Sequence, residues 1–404
     1  MNIVYLNHYA GSPALGMEYR PYYLAREWVR LGHSVQMLAA DFSHVRSQQP
    51  VAGDQQIDGI NYRFYATPPY QGNGLGRARN IWRFLRQVWA DTERLVRMVA
   101  PQLVIASSTY PMDIWVARRI ARAAGAKLVF EVHDLWPLSP IELAGMPRWH
   151  PFIRLGQAAE DAAYRDADAV VSMLPKVHHY MASRGLDIRK LHIVPNGISL
   201  DEWQGTPQAL RDDVMQVMLH ARRAGNAVVV YAGSHGLPNA LDTLLDAAAQ
   251  LRDQPLQLVL VGDGHEKPRL ARRVEQESLG NVSLLPPVPK VQIPALLAAA
   301  DIAYIGWQRV PIYRFGIAPN KLMDYMMAGC AVLHSVDAGN DPVAEAGCGL
   351  TVAPQAPAAV AQGLLHLMAL GAAARREMGL RGRAFVLAHH TYPVLAQRFL
   401  EAVA

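Results

Sequence analysis

Residues 315–336 read FGIAPNKLMDYMMAGCAVLHSV, a short helix that runs straight into a buried strand. Pro319 suits the first helical turn and Gly329 the position just past the last one. The start of such a helix offers unpaired backbone N–H groups and about half a positive charge, which suits a diphosphate. Lys321 adds a full charge there, and Gly316 lets backbone come close to a ligand. Asn320, Lys321 and Asp324 are spaced to share one helix face. Phosphate at the helix start and a polyol held by the carboxylate one turn on make a coherent nucleotide-diphosphate site. The plainer reading is a surface helix with a solvated Lys–Asp pair.

Working outward, the same strand-then-helix rhythm fills the chain. Strands are expected at 2–7, 33–39, 102–106, 127–132 and 169–173, with helices between them. A helix beginning near Pro21 places Leu24, Trp28 and Leu31 on one face, and Gly32 ends it. After a turn-forming Pro195-Asn196-Gly197 the rhythm restarts, with strands at 227–233, 256–262, 282–285, 301–305 and 330–335. Alternating strands and helices predict parallel sheets covered on both faces, with ligands at the carboxyl ends of the strands. The expected fold is therefore α/β, two Rossmann-like domains facing across a central cleft. The expected bounds are 1–198, 199–380, and a C-terminal helical segment 381–404 that returns to the first domain, part of one last helix over about 375–402.

The 404 residues are 51% hydrophobic and 18% charged, a globular composition that excludes disorder and fibrous repeats. A formal charge of +5 is too mild to argue for nucleic acid. No apolar run is long enough for a spanning helix. MNIVYLNHYAG lacks a basic stretch before its apolar residues and reads as a first strand rather than a signal peptide. Cys330 and Cys348 are the only cysteines, too few for a disulfide framework or a four-thiolate zinc site. A cytoplasmic protein with reduced thiols is expected.

The motif Gly316-Ile317-Ala318-Pro319-Asn320-Lys321-Leu322, with Asp324, Tyr325-Met326 and Ala328-Gly329, resembles the donor site of family 4 glycosyltransferases. The closer similarity is to the N-acetylfucosaminyl-type transferases of O-antigen and capsule assembly. Further matches follow in order along nearly the whole chain: the glycine loop at 11–16 with Glu18-Tyr19-Arg20, His133-Asp134-Leu135-Trp136-Pro137, Val194-Pro195-Asn196-Gly197, Tyr231-Ala232-Gly233 and Val261-Gly262-Asp263-Gly264. The resemblance implies the GT-B fold and a retaining transfer from a nucleotide-diphosphate sugar, most simply a UDP-sugar, to a glycan or polyprenyl-diphosphate-linked acceptor. No metal or cofactor is expected in the catalytic role. It implies His133 and Lys321 as catalytic contacts. It implies donor contacts from Gly16, Gly233, Ser234, His235, Val288, the backbone of Ile317 and Ala318, Asn320, Asp324 and Glu345, and acceptor-side contacts from Gly11, Glu18 and Asp134. Two departures stand out. The first of the family's two glutamates maps to Gly316, and the usual Arg and Lys after the first strand of the second domain are replaced by Ser234-His235-Gly236-Leu237-Pro238-Asn239. Lys321, His235 and backbone N–H groups are then left to balance the diphosphate. These departures keep two alternatives open, a nucleotide-sugar 2-epimerase of GT-B shape and a non-catalytic scaffold.

Asp166-Ala167-Asp168 has the spacing of a metal-binding aspartate pair, but it directly precedes an apolar strand and reads as a helix end. Residues 74–99 carry six arginines against Asp91 and Glu93 on an expected single helix. Ile81, Leu85, Val88, Thr92, Leu95 and Val99 form its apolar side. Packing with a solvated basic face and peripheral attachment to anionic lipid through 77–97 both fit that pattern.

Overall fold

A computed structural model describes every residue except Met17, Glu18, Asn73 and Thr206. The chain folds into two compact units, Met1–Asn196 together with Tyr392–Ala404, and Gly197–Thr391.

The first unit is built on an eight-stranded sheet. Its strands are β1 (Asn2–Leu6), β2 (Ser34–Ala40), β3 (Gly53–Ile57), β4 (Ile60–Tyr65), β5 (Leu103–Ala106), β6 (Lys127–Val132), β7 (Ala169–Ser172) and β8 (Leu191–Ile193), in the order β3-β4-β2-β1-β5-β6-β7-β8. All neighbours are parallel except the β3–β4 hairpin. Central strands such as LVIA of β5 are buried throughout, as a sheet covered on both faces requires. The hairpin and β8 were not expected. GDQQI of β3 has one large apolar side chain, Ile57, too few to mark a strand, and LHI of β8 is too short to carry a period.

The second unit holds β9 (Ala227–Ala232), β10 (Leu256–Val261), β11 (Val282–Leu285), β12 (Ile302–Gly306), β13 (Ala331–Ser335) and β14 (Gly349–Val352), in the order β11-β10-β9-β12-β13-β14. Every neighbouring pair is parallel. Each sheet has one place where the strand order reverses, between β1 and β5 and between β9 and β12. Loops leaving the carboxyl ends of those strands diverge there and open a crevice.

Two helix expectations are corrected. The last helix over 375–402 is two helices, Gly371–His389 and Tyr392–Glu401, so residue 380 lies inside a helix and does not bound a domain. The second of them belongs to the first unit, where Trp28 Nε1 donates to Ala396 O at 3.1 Å and the Tyr23 and Tyr392 rings stack at 4.7 Å. The arginine-rich stretch is also two helices, Leu75–Ala90 and Thr92–Val99, broken at Asp91, whose carboxylate accepts from Tyr65 OH at 2.9 Å. Among the described residues, no single helix is long and apolar enough to cross a membrane.

Candidate functional site

In the second unit the site grows from three loops. Gly233 to Asn239 follow β9, Trp307 follows β12, and the helix Asn320–Met327 precedes β13. The helix is tied to β9 by Tyr325. Its hydroxyl accepts from the N–H of Ala232 at 2.8 Å and donates to the carbonyl of the same residue at 3.1 Å. Pro319, extended at φ −78° and ψ 127°, is the N-cap rather than the first helical residue. The first turn of the helix then carries Lys321 over Gly233, where an added Cβ would lie 3.3 Å from Lys321 Cε and Nζ.

The Lys321 ammonium donates to Tyr231 OH at 3.1 Å and to Asn239 Oδ1, and lies 4.9 Å from the Tyr231 ring centroid and 5.8 Å from that of Trp307. Those partners are themselves fixed. Tyr231 OH donates to Ser234 O at 2.6 Å and Asn239 Nδ2 donates to the same oxygen at 2.9 Å. Among the described residues no carboxylate pairs with Lys321, and burial pulls its ammonium down to about 8. A partly desolvated cation with neutral partners only is a standing attraction for an anion.

Asp324, expected beside Lys321, takes a different partner. Its carboxylate accepts from Lys290 Nζ at 3.2 and 3.1 Å, and Lys290 also lies 3.6 Å from Glu202. Burial raises the Asp324 carboxyl and Lys290 opposes that rise. A solvated Lys321–Asp324 pair is thus not what the helix carries. Asn320 is exposed. The Ile317 N–H, expected on the diphosphate, donates instead to Asn340 Oδ1 at 2.7 Å, and Asn340 Nδ2 donates back to Ile317 O at 3.1 Å. Gly316, at φ 104°, makes the turn that precedes this clasp.

His235 is corrected more sharply. Its ring is fully buried, neither nitrogen has a hydrogen-bond partner among the described residues, and burial, with Lys267 and Lys321 nearby and Asp263 opposing them, lowers it to about 4. Such burial opposes the charge that was expected of it towards a diphosphate. Ser234 is exposed, Val288 half-buried, and Glu345 exposed on the five-residue helix Pro342–Ala346.

In the first unit, His133 follows β6 and is 7% exposed. Its Nε2 lies 2.9 Å from Ser107 Oγ, at the end of β5, and 3.5 Å from Glu131 Oε2. Glu131 is fully buried, which opposes ionisation. Yet Arg20 Nε donates to its Oε1 at 2.9 Å, while Tyr5 OH and Ser107 Oγ donate to Oε2 at 2.5 and 2.6 Å. Arg20 and these donors overcome the burial and hold the carboxyl far below the usual range. Arg20 also donates to Val194 O and Pro195 O at 2.8 and 2.6 Å, which explains why a polar residue and a Val-Pro-Asn-Gly turn far apart in sequence belong to one site. Asp134 is exposed.

The loop after β1 is pinned by buried Arg46, which donates to Ala10 O at 2.6 Å and Ala40 O at 2.7 Å, and by Tyr62 OH, which donates to Gly11 O at 2.9 Å. Gly16 sits at φ 95° with Ser47 N 2.8 Å from where a Cβ would be, so the turn itself requires glycine. Gly16 belongs to the first unit. Glu18 lies outside the described residues. Asp166 pairs with Arg118 and Arg165, and Asp168 accepts from Leu128 N at 2.7 Å, so both aspartates hold structure.

Sequence reasoning missed Tyr5, Ser107, Glu131, Tyr231, Asn239, Lys290, Trp307 and Asn340 as parts of these clusters. Glu131 did leave a signal: a carboxylate inside the apolar run KLVFEV must be paired if buried.

Comparison with known proteins defines the class. Residues 16–197 match the family described as Glycosyl transferase 4-like domain, and residues 226–369 match Glycosyl transferases group 1. The two cover most of the chain in tandem, and the chain belongs to the glycosyltransferases of this type, with the GT-B pair of Rossmann-like domains. Among particular proteins it is similar to WcaI of Escherichia coli K12, described as a colanic acid biosynthesis glycosyl transferase. The two are 24% identical over 322 residues, 74% of this chain and 76% of WcaI. In fold it is similar to sucrose-phosphate synthase from Thermosynechococcus elongatus, with a TM-score of 0.75 and 19% identity over 100% of this chain and 98% of the synthase. It is also similar to Anabaena HepE, solved with UDP and glucose, with a TM-score of 0.67 and 18% identity over 100% and 99% of the two chains.

Proposed function

We propose that this glycosyltransferase uses a nucleotide-diphosphate sugar, specifically a UDP-sugar, and retains the configuration of the transferred sugar. The observation that carries the proposal is Lys321: a partly buried ammonium with no carboxylate partner among the described residues, at the carboxyl ends of β9 and β12. HepE, solved with UDP and glucose, supports the choice of nucleotide. The β-phosphate meets Lys321 and the start of its helix, and the charge that develops on the leaving diphosphate is stabilised there without a metal ion. Of the expected donor contacts, Gly233 and Ser234 lie beside Lys321, whereas Asp324 must exchange Lys290 for a ribose hydroxyl.

Transfer on the front face, with the leaving diphosphate assisting removal of the acceptor proton, needs no nucleophilic carboxylate. His133 contacts a substrate hydroxyl. The resemblance carried by the Gly316–Leu322 motif favours an N-acetylhexosaminyl donor and a glycan or polyprenyl-diphosphate-linked acceptor, and the likeness to WcaI, described as a colanic acid biosynthesis glycosyl transferase, supports a role in surface polysaccharide assembly. The test is release of UDP from a panel of UDP-sugars, with and without such acceptors, and the anomeric form of the product read by NMR. Conversion of UDP-N-acetylglucosamine alone to an epimer would replace this reading with the epimerase. Absence of both turnover and UDP binding would replace it with the scaffold.

A cytoplasmic enzyme seated peripherally on the membrane is part of the same reading. On the helix Leu75–Ala90, Leu75, Arg79, Trp82, Arg86 and Trp89 follow one another at four and three residues, with Trp82 57% and Trp89 45% exposed. Exposed tryptophan and arginine on one face suit an anionic lipid surface. Arg94 is not part of it, being paired with Asp54 at 3.0 Å. Changing Arg79, Arg83 and Arg86 to Glu is expected to abolish co-sedimentation with anionic liposomes at low salt. Unchanged co-sedimentation would remove the membrane from the account.

A further inference from the structure

The loop after β9, which lacks the family's usual Arg and Lys, holds the remaining cation instead, and counting its hydrogens explains how. Tyr231 OH has one hydrogen, and Ser234 O takes it at 2.6 Å. The 3.1 Å contact of that hydroxyl with Lys321 Nζ is therefore made by a lone pair of the tyrosine oxygen. Asn239 is fixed by the same carbonyl. Its Nδ2 donates to Ser234 O at 2.9 Å, which leaves Oδ1 to accept from Lys321. Turning the amide over would set its hydrogens against an ammonium and its oxygen against a carbonyl, so only one orientation is satisfied. One backbone carbonyl thus turns two neutral oxygens toward one ammonium. Of the three ammonium hydrogens two are taken, and the third has no partner among the described residues. The surroundings supply no charge that replaces these acceptors. Burial opposes the charged forms of Tyr231 and of His235 in the loop after it, and Lys267 stands beyond His235. Trp307 brings a ring at 5.8 Å and no charge, and Asp324, one turn along the helix, is engaged by Lys290.

We propose that Tyr231 and Asn239, both oriented by the Ser234 carbonyl, are positioning residues that hold Lys321 by two of its hydrogens and reserve the third for an oxygen of the donor diphosphate. The use of that third hydrogen rests on the transferase reading above; the holding of Lys321 does not. The neutrality of the two residues is part of the device. A phenol and an amide accept from the ammonium without cancelling its charge, whereas a carboxylate in either place would pair with it and compete with the ligand.

The test is ¹³C NMR of the full-length protein labelled at lysine, with UDP binding read beside it by calorimetry. The Lys321 Cε signal, one of six, is identified by its loss in Lys321→Ala and followed with pH. In the free wild type it titrates at about 8. Tyr231→Phe keeps the ring and removes one acceptor of the ammonium, so the midpoint falls by about one pH unit or more. Asn239→Asp puts a carboxylate beside the ammonium, so the midpoint rises, yet UDP binding at pH 7 weakens about tenfold or more. A loop that served folding alone would not move the two midpoints in opposite directions. Midpoints that stay where they are in both variants, or that move together, overturn the proposal. So does UDP binding to the wild type that Asn239→Asp leaves unchanged. A wild type that binds no UDP, with midpoints that part as expected, contradicts the transferase reading and leaves Tyr231 and Asn239 as the residues that hold Lys321.

Discussion

Lys321 and Glu160 show how burial, rather than residue type, sets what a charged group does here. Burial brings the Lys321 ammonium down to about 8, so it is charged below that pH and neutral above it. UDP affinity should be flat up to pH 7.5 and weaken about tenfold for each unit above 8, which a calorimetric titration series would read. Lys321→Ala should lower turnover on the order of 100-fold, the scale of losing one charge stabiliser. Near-normal turnover would put the diphosphate elsewhere. Glu160, 1% exposed, shows the opposite sign. Burial raises it to about 7 even though Tyr164, Tyr180 and Gln157 donate to it. The native state then holds a proton that the unfolded chain releases near pH 4.5, so this group costs stability as pH rises from there through 7. Glu160→Gln should therefore be more stabilising relative to wild type at pH 8 than at pH 5, by roughly 2 kcal/mol. Equal differences at the two pH values would contradict the assignment.

At the scale of elements, both clusters depend on how closely loops approach one another. A Cβ on Gly262 would lie 1.8 Å from Gly233 O, and one on Gly264 2.5 Å from His235 O. The loop after β10 thus supports the loop after β9 by direct backbone contact, and that loop supports Lys321 through Asn239. Gly262→Ala should cost about 3 kcal/mol or more and weaken UDP binding together with stability, as urea unfolding and calorimetry would show. The Arg20–Glu131 pair ties the helix Tyr19–Arg30 to β6. Arg20→Met strands a buried carboxylate and should destabilise the first unit by about 3–5 kcal/mol. Much of this level was legible beforehand. The Gly316–Leu322 motif located the helix, and the Val-Gly-Asp-Gly motif located its support. The partners of these residues were not legible. Nothing about Asn340 says it will clasp Ile317, and Lys290 is 34 residues from the Asp324 it pairs with. Such pairings are set by where parallel strands end, which only the sheet order reveals.

For the whole molecule, strand periodicity was enough to find two α/β units, because buried parallel strands read as uninterrupted apolar runs. It failed where strands carry no such run, as in β3, and where a helix breaks without proline or glycine, as at Asp91. The change of unit at Thr391 was invisible for a related reason: the residues on either side are equally helical. The burial that lowers His235 was not legible, because it comes from the loop after β10 closing on the loop after β9 and not from its own sequence neighbours. If the second unit alone seats the nucleotide, hydrogen exchange with and without UDP should show protection at 233–239 and 318–324, with the first unit's sheet unchanged. The claim on which the rest stands is that Lys321 is the cationic seat for a diphosphate, and calorimetric titration of UDP into wild type and Lys321→Ala at pH 7 and pH 9 tests it most directly. The account predicts saturable binding to the wild type that weakens about tenfold at pH 9, and binding to the variant that is at least tenfold weaker and indifferent to pH. UDP that binds both proteins alike, or neither, would contradict it.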